Sequence, residues 1–338
     1  DKEHKSTFQF CENGAKAVTW EATTKRVTPA FLAANTVSSL LAKSDFELEG
    51  YGRLTHPLVY DRDSDTLRPV AWEQAFARIG EILRGLQPDE VEFYTSGRAS
   101  NEAAWLFQLF AREYGTNNFP DCSNMCHEST SVGLPQSIGI GKGTVSLDDF
   151  DQTELVISIG HNPGTNHPRM MGTMHELSRR GVPIIVFNPL RERSLERFAD
   201  PQNVMEMATR RSTPIASTYY QVRAGGDAAA LKGIAKALLQ LEEEQGNVLD
   251  HAFIAQHTQG FTAFADDLHA TRWQDIEQES GLTRESLTQV AAAYAKSRAT
   301  IVTYGMGITQ HNKGTSNVRL IADLLLCLLY TSDAADDK

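Results

Sequence analysis

An α/β fold is what this 338-residue chain predicts, on three observations. Short aliphatic and β-branched runs of strand length recur between segments whose apolar residues fall at helical spacing. Each such run ends in a turn carrying glycine, an amide or an arginine, and the turn leads into a helix. No apolar run reaches the length of a membrane span, and four cysteines are too few and too scattered for a disulfide framework.

Residues 1–60 show little periodicity. Cys11-Glu12-Asn13-Gly14 is a cysteine followed by a turn-forming Asn-Gly. By itself Cys11 is as well explained as a partly buried small hydrophobe. Gly52-Arg53-Leu54-Thr55-His56-Pro57 reads as an extended polar segment, with Pro57 pushing His56 out of helical geometry. From Val70 the pattern turns α/β. Trp72, Ala75, Phe76, Ile79 and Ile82 predict a helix over 71–86. Residues 91–95 read as a strand, and Ser96-Gly97-Arg98-Ala99-Ser100 leads into a helix to about Tyr114. A glycine turn and capping residues ahead of a helix can hold an anion. Arg98 could add a phosphate contact there, against its ordinary reading as a solvated surface group.

The second half repeats the unit four times. Residues 154–160 predict a buried strand, followed by Gly160-His161-Asn162-Pro163-Gly164-Thr165-Asn166-His167-Pro168 and a helix over 169–180. A strand over 182–187 ends in Asn188-Pro189-Leu190-Arg191. Residues 219–223 lead through Ala224-Gly225-Gly226-Asp227 into a helix over 228–241. Residues 300–304 are followed by Gly305-Met306-Gly307-Ile308-Thr309-Gln310. One glycine after a strand is usually just a turn. Four together make a dinucleotide-binding layout, because ligands of open α/β sheets bind beyond the carboxyl ends of the strands. The fingerprint of NAD sites and the lysine motif of ATP sites are both missing from the sequence. Residues 199–217 read as a loop excursion, and 242–298 as a polar helical cover. His251, His257 and His269 lie in that cover without ligand spacing.

The chemistry concentrates in Asn117-Asn118-Phe119-Pro120-Asp121-Cys122-Ser123-Asn124-Met125-Cys126-His127-Glu128. A thiolate is a soft metal ligand or a nucleophile, and an adjacent imidazole can move protons near neutral pH. Three readings stay open from the residues alone. Cys126 binds a redox metal; or it attacks a substrate carbonyl in a hydrolase or acyl-transfer enzyme; or it is a buried structural cysteine in a non-catalytic dinucleotide-binding domain. A formal charge of −11 argues against a nucleic-acid partner, since phosphate binding needs a basic face. The few, scattered thiols suit a reducing compartment. Residues 327–338, from Cys327 to Lys338, read as the translation of a sequencing-library adapter. They are set aside as a non-native tail.

Taken in order, these motifs resemble the catalytic subunits of molybdopterin oxidoreductases, close to formate dehydrogenase alpha subunits. The resemblance covers roughly residues 10–326. It implies Rossmann-like, doubly wound, mostly parallel sheets, with the remnant of a small N-terminal iron–sulfur domain. The implied division is 1–60 for that remnant and linker, 61–120 for a first α/β segment and 121–326 for the dinucleotide-binding domain. It further implies a molybdenum bis(molybdopterin guanine dinucleotide) centre. Cys126 would ligate molybdenum and His127 would accept the substrate proton. Arg98, Gly160, Asn162, Thr165, Asn188, Arg191, Gly226, Asp227, Met306 and Gln310 would bind the pterin dinucleotide. Cys11 would be the last ligand of a 4Fe–4S cluster whose Cys-x-x-Cys pair lies upstream in relatives, so the chain reads as a fragment, inactive alone. Where many relatives carry a lysine two residues after that cysteine, this chain has Asn13. The implied reaction moves two electrons and a proton from formate or a similar small anion, with an electron-acceptor subunit or redox protein as partner. A bacterial cytoplasm is the implied location.

Overall fold

The computed structural model describes residues 12–95, 99–120, 122–209 and 211–327. These residues cluster into two compact units, one on either side of position 121.

In the N-terminal unit, Leu58–Asp61 and Thr66–Pro69 form an antiparallel hairpin with Tyr60 opposite Leu67. Its turn holds Asp65 in the left-handed region (φ 52°). The Asp65 carboxylate accepts from the Ser38 amide and the Tyr60 hydroxyl, which keeps its pKa below the ordinary carboxylate range. Helices α1 (Trp72–Arg84) and α2 (Asn101–Tyr114) follow the predicted spacing. Ser100 caps α2 through the Ala103 amide, and Gly115 ends it at φ +110°. The strand expected over 91–95 does not form. Its residues have strand propensity, but the Phe93 amide pairs only with the Asn118 carbonyl (2.9 Å), and no ladder partner lies beside it among the described residues.

The second unit begins with α3 (Cys122–Ile138) and is built on β1 (Leu155–Ile159). Then come α4 (Met170–Arg179), β2 (Ile184–Phe187), β3 (Thr218–Tyr220) and α5 (Asp227–Gln245). Helices α6 (Phe261–Ala270), α7 (Trp273–Ser280) and α8 (Arg284–Lys296) form the cover predicted for 242–298. Strand β4 (Thr300–Tyr304) and α9 (Gly314–Cys327) close the unit.

The four strands pair in parallel in the order β4-β1-β2-β3, with Val156 opposite Ile184 and Ile157 opposite Val302. Both faces are covered, so every residue of β1 is buried. Leu155, Ile157 and Ile159 point to the core made with α5, α8 and α9. Val156 points to the core made with Met171, Met174 and Leu177 of α4. Two contacts fix the helical layer. Gly133 of α3 lets α9 approach until a Cβ there would sit 3.0 Å from the Thr315 carbonyl oxygen. Lys236, buried inside α5, donates to the carbonyls of Leu268 (2.7 Å) and His269 (3.1 Å), capping the end of α6. The excursion over 199–217 carries a short helix, Val204–Thr209, anchored where Glu206 meets the buried His175 of α4 at 2.8 Å.

Candidate functional site

The carboxyl ends of β1, β2 and β4 meet in a set of crowded backbone contacts. Gly160 follows β1 in the left-handed region (φ +55°), and its amide donates to the Phe187 carbonyl that ends β2. The Gly305 amide donates to Ile159 (3.3 Å) and the Gly307 amide to Gly160 (3.1 Å). A Cβ on Gly160 would lie 2.8 Å from the Gly307 carbonyl carbon, and one on Gly307 would lie 2.7 Å from Gly160 Cα. Only glycines allow this approach.

Asn162 caps the turn Pro163–Asn166 through the Thr165 amide, and its side-chain amide donates to Glu192 (2.6 Å). Asn188 is buried and donates to the His161 carbonyl (3.2 Å), tying the β2 loop to the β1 loop. Arg191 is exposed. It lies over the Tyr219 ring at 5.3 Å and donates to Glu196 (2.6 Å). Gly226 leaves no room for a side chain: a Cβ would meet the Glu279 carbonyl oxygen at 2.4 Å. Beside it Asp227 begins α5, is 3% exposed, and faces a small cavity lined by Ile159, Phe187 and Leu231. Burial raises its pKa above the ordinary carboxylate value, opposed by the charge of His311.

A raised folded-state pKa means that the native chain holds this proton where the unfolded chain has lost it. Stability from this group therefore falls as pH rises from the ordinary carboxylate pKa through the raised one. Asp227→Asn should unfold at a higher urea midpoint than wild type at pH 7, the gain disappearing near pH 3. An equal difference at both pH values would refute it.

Cys126 lies in the second turn of α3 and is half-buried. Two residues after β4 hold it. Thr309 Oγ1 donates to the Cys126 carbonyl (2.7 Å), and Gln310 Nε2 donates to Cys126 Sγ (3.8 Å). Ser129, one turn on, donates to the Thr309 carbonyl (2.9 Å). Met306 contacts Thr309 Oγ1 through its sulfur at 3.7 Å. His127 is exposed. Neighbours in a helix diverge by about 100°, so Cys126 and His127 do not form a nucleophile–base pair. That geometry counts against acyl-transfer chemistry.

The structure thus joins Gly160, Asn162, Asn188, Gly226 and Asp227 at the strand ends and brings Met306, Gln310 and Cys126 to the β4 loop. Arg191 lies over Tyr219 at the end of β2 and donates through its Nε to Glu196. Arg98 and Cys11 lie outside the described residues. Sequence reasoning passed over Thr309, Ser129 and the pair His161–His167. The first two sit close to the cysteine or inside a strand-end motif, but only the fold shows that they anchor Cys126.

A parallel sheet covered on both faces, with loops crowded at its carboxyl edge and a thiol strapped to one of them, is the layout of an α/β fold that binds ligands beyond its strand ends. The chain belongs to the molybdopterin oxidoreductase family, whose model matches residues 53–333. Membership implies a molybdenum–pterin cofactor. The chain is 55% identical over 332 residues to protein YdeP of Escherichia coli, a match covering 96% of this chain and 44% of that protein. It is 43% identical over 320 residues to an uncharacterized oxidoreductase of Mycobacterium tuberculosis, covering 94% of this chain and 41% of that one. Formate dehydrogenase H of Escherichia coli is 28% identical over 280 residues, 81% of this chain and 36% of that protein. Acetylene hydratase from Pelobacter acetylenicus shares the fold, with a TM-score of 0.61 at 17% identity over 96% of this chain and 38% of that one. The chain therefore spans less than half the length of these relatives. Among the described residues no helix is long and apolar enough to cross a membrane.

Proposed function

We propose that this chain supplies the metal-ligating and dinucleotide-binding part of a bacterial, cytoplasmic molybdenum oxidoreductase acting on formate or a similar small anion. The observation that supports this most is the strap from the β4 loop to Cys126, since it joins the candidate metal ligand to the dinucleotide floor. The residues fit a molybdenum bis(molybdopterin guanine dinucleotide) group. The glycines at 160, 305 and 307 bring the β1 and β4 loops into backbone contact at the carboxyl edge of the sheet, and Asp227 offers a buried carboxylate to ring N–H groups. Asn162, Thr165, Asn188, Arg191, Met306 and Gln310 would line one dinucleotide, with Arg98 as an added phosphate contact. Cys126 offers a soft thiolate to molybdenum.

When bound, that group supplies the two-electron chemistry. His127, exposed one residue beyond the thiol, would take the substrate proton on an imidazole nitrogen. The chemistry so served would be oxidation of formate to carbon dioxide, with release of one proton and two electrons. Cys11 would supply one ligand of a 4Fe–4S cluster, which would offer one-electron redox chemistry toward an acceptor protein. In this reading the activity belongs to the longer polypeptide its relatives form, and this chain alone does not turn over.

The test is metal and nucleotide analysis of protein expressed with molybdate in a cofactor-producing host. The expected result is molybdenum near one atom per chain, together with guanosine monophosphate released by acid hydrolysis. Metal-free protein whose Cys126 is rapidly modified by an acylating probe would overturn the reading.

A further inference from the structure

The turn that ends β2 is templated by side chains of edge strand β3 and its continuation. Gln221 Nε2 donates to the Pro189 carbonyl (3.0 Å), and the Tyr219 hydroxyl donates to the Leu190 carbonyl (2.6 Å). The same hydroxyl accepts the Glu192 amide (2.9 Å), so one oxygen bridges the backbone on both sides of Arg191. From the β1 turn, Asn162 holds the Glu192 carboxylate at 2.6 Å. Tyr219 lies opposite Val186 in the sheet, and its ring packs on the core shared with α4.

Two contacts then set the direction of the Arg191 side chain. Its guanidinium lies over the Tyr219 ring at 5.3 Å, and its Nε donates to Glu196 at 2.6 Å. Neither Nη group donates a hydrogen bond among the described residues, and the side chain is 56% exposed. A guanidinium is planar and always charged, and its fork of N–H donors matches a pair of phosphate oxygens. Glu196 offsets part of that charge, so the aim of the fork matters more than its net charge. A long side chain fixed before its ligand arrives loses less entropy on binding. The Tyr219 hydroxyl has one proton and gives it to Leu190, so it has none to donate to a ligand.

We propose that Tyr219 is a positioning residue for Arg191. By bridging Leu190 and Glu192 and bearing the guanidinium on its ring face, it aims the two Nη groups at a phosphate of the bound dinucleotide while touching no ligand itself. The inference rests on the dinucleotide-binding reading above, which includes Arg191 and gives β3 no role.

The experiment uses the full chain and two probes, guanosine diphosphate and guanosine, with affinities measured by calorimetry. Tyr219→Phe keeps the ring face and its packing but removes both hydroxyl bonds. The expected result is guanosine diphosphate binding weakened about tenfold in Tyr219→Phe, with guanosine affinity unchanged. In an Arg191→Gln background the same substitution should add no further loss, because the two residues act through one contact. Equal losses for both probes, a loss that persists in Arg191→Gln, or no loss at all would each overturn the inference. So would a Tyr219→Phe chain that fails to fold, since the hydroxyl would then serve the fold alone. Wild-type chain that binds both probes equally overturns it too, and leaves the dinucleotide reading intact. Binding of neither probe overturns both.

Discussion

Gly160→Ala should destabilise the sheet unit by about 3 kcal/mol, combining a left-handed penalty of roughly 1–2 kcal/mol with overpacking of roughly 1–3 kcal/mol. The first part arises because Gly160 sits at φ +55°. The second arises because the new Cβ would meet Gly307 C at 2.8 Å, Gly307 Cα at 2.9 Å and the Ile308 amide nitrogen at 3.0 Å. All three are backbone atoms, so no rotamer change relieves the clash. The loops could only part, giving up the Gly307-to-Gly160 hydrogen bond. Gly172 supplies the opposite control. It lies inside α4, and a Cβ there would find nothing within 4 Å, so Gly172→Ala should stabilise by about 0.5–1 kcal/mol through helix propensity. Urea unfolding of both variants reads the two signs directly. Gly160→Ala unfolding at the wild-type midpoint would mean that the β1 and β4 loops are not locked together.

How far the sequence reaches is clear from the same residues. The β1 run Leu155-Val156-Ile157-Ser158-Ile159 has no polar alternation, and that pattern predicts a strand covered on both faces, which is where it lies. Residues 91–95 look as strand-like locally and form no ladder, because pairing depends on a neighbour that local composition does not encode. The hairpin at 58–69 is hidden for a related reason: its strands are only four residues each and half polar.

The site divides along the same line. Gly160, Asn162 and Asn188 are visible because each sits at a strand end, and position relative to a strand is a local property. The Gln310-to-Cys126 contact spans 184 residues and exists only because α3 and the β4 loop are brought together. His161 and His167 are six apart, but their bond needs the chain to double back through the Asn162-capped turn. Arg191 is legible at its strand end in the same way, but only the fold shows that its Nε meets Glu196 and its plane lies over Tyr219.

Cys126→Ser should abolish molybdenum retention while leaving the fold unchanged. The serine oxygen is smaller than sulfur and hard where the thiolate is soft, so the match to molybdenum is lost at the ligating atom. The backbone anchor survives, because Thr309 Oγ1 bonds the carbonyl of residue 126 and not its side chain. The Ser129-to-Thr309 bond survives for the same reason. The unfolding free energy should therefore change by less than about 0.5 kcal/mol, while bound molybdenum falls to about a tenth or less of the wild-type content. Thr309→Val separates ligation from placement: it keeps the thiol, removes the donor to the Cys126 carbonyl, and should lower metal affinity by about tenfold, as loss of an outer-shell anchor does. Measuring molybdenum per chain after gel filtration distinguishes the three proteins. Wild-type metal content in Cys126→Ser would remove Cys126 from the metal site and leave its strap to the β4 loop as packing alone.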